Sequence, residues 1–72
     1  MALKKDLRRA QEYATRAVAK HPREAKYRIT LARVYAELEL HLNAKRELES
    51  VLEGDPKLTE ALELLKAVKK KI

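Results

Sequence analysis

Few side chains in this sequence have the chemistry for catalysis. They are two histidines, His21 and His41, one serine, Ser50, and three threonines. Nucleophilic catalysis needs a hydroxyl activated by a nearby base, commonly on a strained turn. Ser50 instead precedes Val51 within a helical pattern, with no histidine close in sequence. A metal site needs several ligands at close spacing, and none cluster around either histidine. Both histidines fall at turn positions and read as solvated. The chain has no cysteine, which excludes disulfides and thiolate ligands. Its single glycine, Gly54, cannot build a phosphate-cradling loop. Glu47, Glu49 and Glu53 read as a solvated helix face rather than as paired catalytic acids. The expectation is a non-enzymatic protein with no catalytic, cofactor-binding or metal-binding residues and no cofactor.

Charge is the remaining chemical signal. Seventeen Lys/Arg and eleven Asp/Glu give a net +6. Residues 1–36 hold ten cations and three acids, a net +7, whereas residues 37–72 hold seven and eight, a net −1. Lys4, Lys5, Arg8, Arg9, Arg16 and Lys20 dominate the first segment, and Arg23, Lys26, Arg28 and Arg33 follow. Lys5, Arg9, Arg16 and Lys20 share one side of a helix, a plausible footprint for a phosphate backbone. Against that reading, only Tyr13 stands near enough to stack on a base, and no turn glycine marks a helix-turn-helix. A nucleic-acid-binding helical domain is therefore the alternative reading. No apolar run approaches the ~20 residues of a membrane span, so no membrane partner is expected.

These residues must be positioned by helices. The chain is 72 residues long, enough for one small domain, and is rich in leucine and alanine. A first helix is predicted from about Leu3 to Lys20, with Leu3, Leu7, Ala10, Ala14, Ala17 and Val18 on one face. His21-Pro22 stops it. A second runs from Arg23 or Glu24 to Leu38, with Pro22 near its start and a stripe of Tyr27, Leu31, Val34, Tyr35 and Leu38. The stripe changes phase at Glu39-Leu40-His41-Leu42, where a break is inferred; one long helix from Glu24 to Glu53 is the alternative. A third helix, Leu42 to Glu53, carries Leu42, Ala44, Leu48, Val51 and Leu52, and Gly54 suits a left-handed C-terminal cap. Asp55-Pro56 is a stop followed by a start. The last helix, Leu58 to Lys70, carries Leu58, Ala61, Leu62, Leu65 and Val68. Short connections make sequential helices pack antiparallel.

The chain also repeats itself. His21-Pro22-Arg23 and Asp55-Pro56-Lys57 lie 34 residues apart. At the same offset Ala10, Ala14 and Ala17 match Ala44, Leu48 and Val51, and Tyr27, Arg28 and Leu31 match Ala61, Leu62 and Leu65. In this frame the sequence resembles the tetratricopeptide repeat (TPR) family. The family's spaced positions hold Arg28, Leu31, Ala32, Tyr35, Ala44, Leu48, Val51 and Pro56, with Arg28 departing from an aromatic slot. The resemblance implies an all-α antiparallel helix-turn-helix array, a TPR-like superhelix of about four helices. It divides the chain into the second helix of a truncated repeat (1–22), a full repeat (25–58) and a capping helix (59–72). Lys66 and Lys69 replace packing residues on that last helix and read, with Lys70 and Lys71, as a solubilising cap. The frame suggests a piece of a longer protein or a designed minimal chain.

The resemblance further implies a cytoplasmic protein–protein interaction module. Its partner, a peptide or helix and possibly an acidic one, would lie in a groove lined by Lys26, Ile29, Thr30, Arg33, Glu37, Glu60, Glu63, Leu64 and Ala67. Some family members clamp an acidic C-terminal peptide with lysine, asparagine and arginine. Of those slots only Lys26 matches here, which weighs against that ligand. Lys26 and Arg33 share a helix face and are the expected contacts for an acidic partner. Leu3, Leu7, Tyr13 and Val18 are expected to leave apolar surface that favours self-association into homo-oligomers.

Overall fold

Proline, helical periodicity and a leucine- and alanine-rich composition resolve into four helices in a computed structural model that describes residues 4–72. These are α1 (Lys4–Lys20), α2 (Ala25–Glu37), α3 (His41–Gly54) and α4 (Thr59–Lys69), and no strand occurs among the described residues. Each helix packs on the next, and α2 also meets α4. The result is an all-α helix-turn-helix array whose least extent, 18 Å, is close to two helix diameters.

The 34-residue repeat recurs in the backbone. The His21 N–H donates to the Ala17 carbonyl at 2.9 Å, and the Asp55 N–H donates to the Val51 carbonyl at 3.0 Å. The Glu24 N–H then reaches His21 at 3.0 Å, and the Leu58 N–H reaches Asp55 at 3.2 Å. Glu24 and Leu58 are the N-caps of α2 and α4, both extended, at φ −84° and −68°. Pro22 therefore lies in the turn two residues before its cap, outside the first helical turn.

The break between α2 and α3 is real and rules out a single helix from Glu24 to Glu53. It is made by Glu39, which takes a left-handed φ of 63°. The Leu40 N–H donates to the Tyr35 carbonyl at 2.8 Å and the Glu39 N–H to the Ala36 carbonyl at 3.1 Å. This pair of bonds is a Schellman cap, which satisfies carbonyls left open at a helix end. Gly54, the residue best suited to such a cap, remains the last residue of α3 without a positive φ.

The core is one cluster of Ile29 and Ala32 from α2, Ala44, Leu48 and Val51 from α3, and Ala61, Leu65 and Val68 from α4. Ala32, Ala44 and Ala61 are fully covered, so the helices approach where side chains are small. Three residues of the predicted stripes lie at the surface instead. Tyr27, Leu42 and Leu62 are exposed at 38, 60 and 44%. In α2 the buried residues are Ile29, Leu31 and Ala32. That helix touches α1, α3 and α4, so burial extends around it beyond one stripe. Tyr27 instead sets its ring against His21, with centroids 5.6 Å apart. On α1, Ala14 is buried and Leu7, Ala10, Ala17 and Val18 are half-buried. Leu3, and the side chains of Lys4 and Lys5, lie outside the described residues.

Candidate functional site

The expected lining residues fall on α2 and α4, which meet each other. Lys26, Thr30, Arg33 and Glu37 follow helical spacing on α2 and are exposed, as are Glu60, Glu63 and Ala67 on α4. Two expected lining residues sit lower. Ile29 is 5% exposed and belongs to the core with Ala61 and Leu65, so it supports the surface from beneath. Leu64 is half-buried and packs against the same cluster.

The electrostatics of this face differ from the sequence expectation. Arg33 Nη2 donates to Glu60 Oε1 at 2.7 Å and joins α2 to α4. Both side chains are more than half exposed, so the pair adds at most about 1 kcal/mol to stability. The pair sets a carboxylate beside Arg33, which offsets its charge toward a ligand. Thr30 is likewise engaged, donating its hydroxyl to the Lys26 carbonyl at 3.0 Å. Lys26 forms no ion pair among the described residues. Across the face, Lys26 and Arg33 oppose Glu37, Glu60 and Glu63, a net −1.

A cleft of about 450 Å3 opens elsewhere, lined by Pro22, Arg28, Ser50, Val51, Gly54 and Asp55 among others. Arg28 lines this cleft and acts as a clamp. Its Nε donates to the Pro22 carbonyl at 2.9 Å, and its Nη1 reaches Glu47 Oε1 at 3.2 Å. Both charged side chains are about four-fifths buried. Arg28 thus ties the α1–α2 turn, α2 and α3 together. Sequence reasoning read Glu47 as a solvated acid. The usable signal was Arg28 itself, a cation at a position whose frame faces another helix.

The histidines also part company. His21 is exposed, as expected. His41 begins α3, is half-buried, and has its Nδ1 covered without a hydrogen-bond partner. No group of three or more metal-ligating side chains assembles among the described residues. No helix among them is long and apolar enough to cross a membrane. Comparison with known protein families, curated proteins and solved structures returns no match to this chain.

Proposed function

We propose that this chain is a non-enzymatic protein–protein interaction module of tetratricopeptide type, acting in the cytoplasm as a scaffold or adaptor piece. Its partner segment, a peptide or helix, lies along the face shared by α2 and α4. The supporting observation is the contact between those two helices, bridged by Arg33 and Glu60, with Lys26, Thr30, Glu37, Glu63 and Ala67 all exposed. The Arg33–Glu60 pair narrows the partner. One acidic side chain suits Lys26, while neutral or basic ones suit the rest of a face whose net charge is −1.

A peptide-display selection against the whole chain tests this reading. Recovered clones should lose about five- to tenfold in affinity when Lys26→Glu and Glu63→Lys are introduced together, with the helical content unchanged. Clones that bind both proteins equally would remove this face from the site. Adding Arg33→Glu to Lys26→Glu leaves Glu60 unpaired beside a second carboxylate, and should abolish binding of any acid-bearing clone.

A further inference from the structure

α1 packs on α2 and on neither α3 nor α4. Away from α2 it presents Tyr13, 66% exposed, the most exposed large apolar side chain described. Arg9, Arg16 and Lys20 flank it, all exposed and none in an ion pair among the described residues.

The chain contains its own template for what fits such a face. By the 34-residue repeat, α1 corresponds to α3, and α3 has a helix seated on this side, namely α2. Arg28 of α2 meets Glu47 of α3 and shares a cleft with Ser50 and Gly54. The equivalent positions on α1 are Tyr13 for Glu47, Arg16 for Ser50 and Lys20 for Gly54. A helix seated on α1 as α2 sits on α3 would therefore place the residue in Arg28's position among a tyrosine and two cations. That position accepts a carboxylate.

We propose that this face of α1 docks an acidic amphipathic helix of a partner protein. Tyr13 supplies the apolar anchor, while Arg9, Arg16 and Lys20 supply the charge complement. Charge disfavours α1 or α4 of a second copy as occupant. α1 itself holds six cations and two acids, and α4 with the residues after it holds four lysines and two glutamates. Nucleic acid matches the charge but not the rest, since single-strand platforms stack successive bases on several aromatics and only Tyr13 stands here.

The probe is a peptide of the α2 sequence, Ala25–Glu37, with Lys26, Arg28 and Arg33 each replaced by glutamate. It is stapled on its outer face, because isolated helices this short are marginal. Its binding to the whole chain is read by fluorescence anisotropy. Saturable binding is expected, weakening as salt rises from about 50 to about 300 mM. Arg16→Glu with Lys20→Glu should weaken it about tenfold or more. Tyr13→Ala should weaken it about fivefold. Lys26→Glu should leave it unchanged, which separates this face from the α2–α4 groove. All four positions are exposed, and circular dichroism checks that each variant keeps its helix content. Failure of the peptide to bind, or binding indifferent to Arg16 and Lys20, overturns the proposal. So does a duplex oligonucleotide that binds through those residues and displaces the peptide. Concentration-dependent dimerisation abolished by Tyr13→Ala would assign the face to a second copy instead, and would also overturn it.

Discussion

Glu39 holds a backbone conformation that an L-residue adopts at a cost of roughly 1–2 kcal/mol. The cost is accepted because the Schellman bonds at Tyr35 and Ala36 need a left-handed residue there. Glycine takes the same φ without strain but loses more entropy on folding. Glu39→Gly should therefore stabilise the chain by about 0.5–1 kcal/mol, read as a higher urea midpoint at constant slope. Glu39→Asn should fall between the two. Arg28 poses the opposite case, a polar residue whose partners are all in place. Arg28→Ala leaves the largely buried Glu47 without its cation and the Pro22 carbonyl without its donor. A loss of about 1–2 kcal/mol is expected. Glu47→Ala in the Arg28→Ala background should cost much less than in the parent, and a double-mutant cycle measures that coupling.

Between elements, small residues set the helix spacing. Ala44 of α3 is fully covered in the cluster it shares with Ala32 of α2. Ala44→Leu should destabilise by about 1–3 kcal/mol through overpacking at this contact. Leu48 is the only large side chain described that is completely buried. Leu48→Ala should cost about 2–5 kcal/mol, depending on how far α2 and α4 collapse into the space. By contrast, Leu42→Ala removes a side chain that is 60% exposed, and should shift stability by less than about 0.5 kcal/mol. Periodicity alone puts Leu42 and Leu48 on the same stripe. Their different fates reflect the neighbours: Leu48 lies between α2 and α4, and Leu42 lies near the start of its helix, where a cleft opens beside Ile72.

At the scale of the molecule, the fold is a three-helix core with α1 laid on one side. None of the core cluster comes from α1, whose only buried residue among those described is Ala14. Local opening should follow this division. Amides in the middle of α1 should exchange about tenfold or more faster than the Leu48 amide, as hydrogen exchange followed by NMR would show. The charges divide less cleanly. The face shared by α2 and α4 is nearly balanced, while residues 1–22 carry a net +4 and residues 23–36 a net +3 of the first half's cationic excess. The helix count, helix order and turn positions were legible in the sequence because they follow from local causes. His21-Pro22 and Asp55-Pro56 break helices within a residue or two, and the 34-residue frame marks equivalent turns directly. The break at Glu39 was legible only as a phase change, since no proline or glycine announces it. Which side chains are buried, and which charges are free, depends on neighbours distant in sequence. Ile29 became core in a cluster with α3 and α4, Arg28 became a clamp through Glu47, and Arg33 gained Glu60 as a partner. Those outcomes needed the tertiary structure, because burial and ion pairing are decided by what the packed helices bring within a few ångströms.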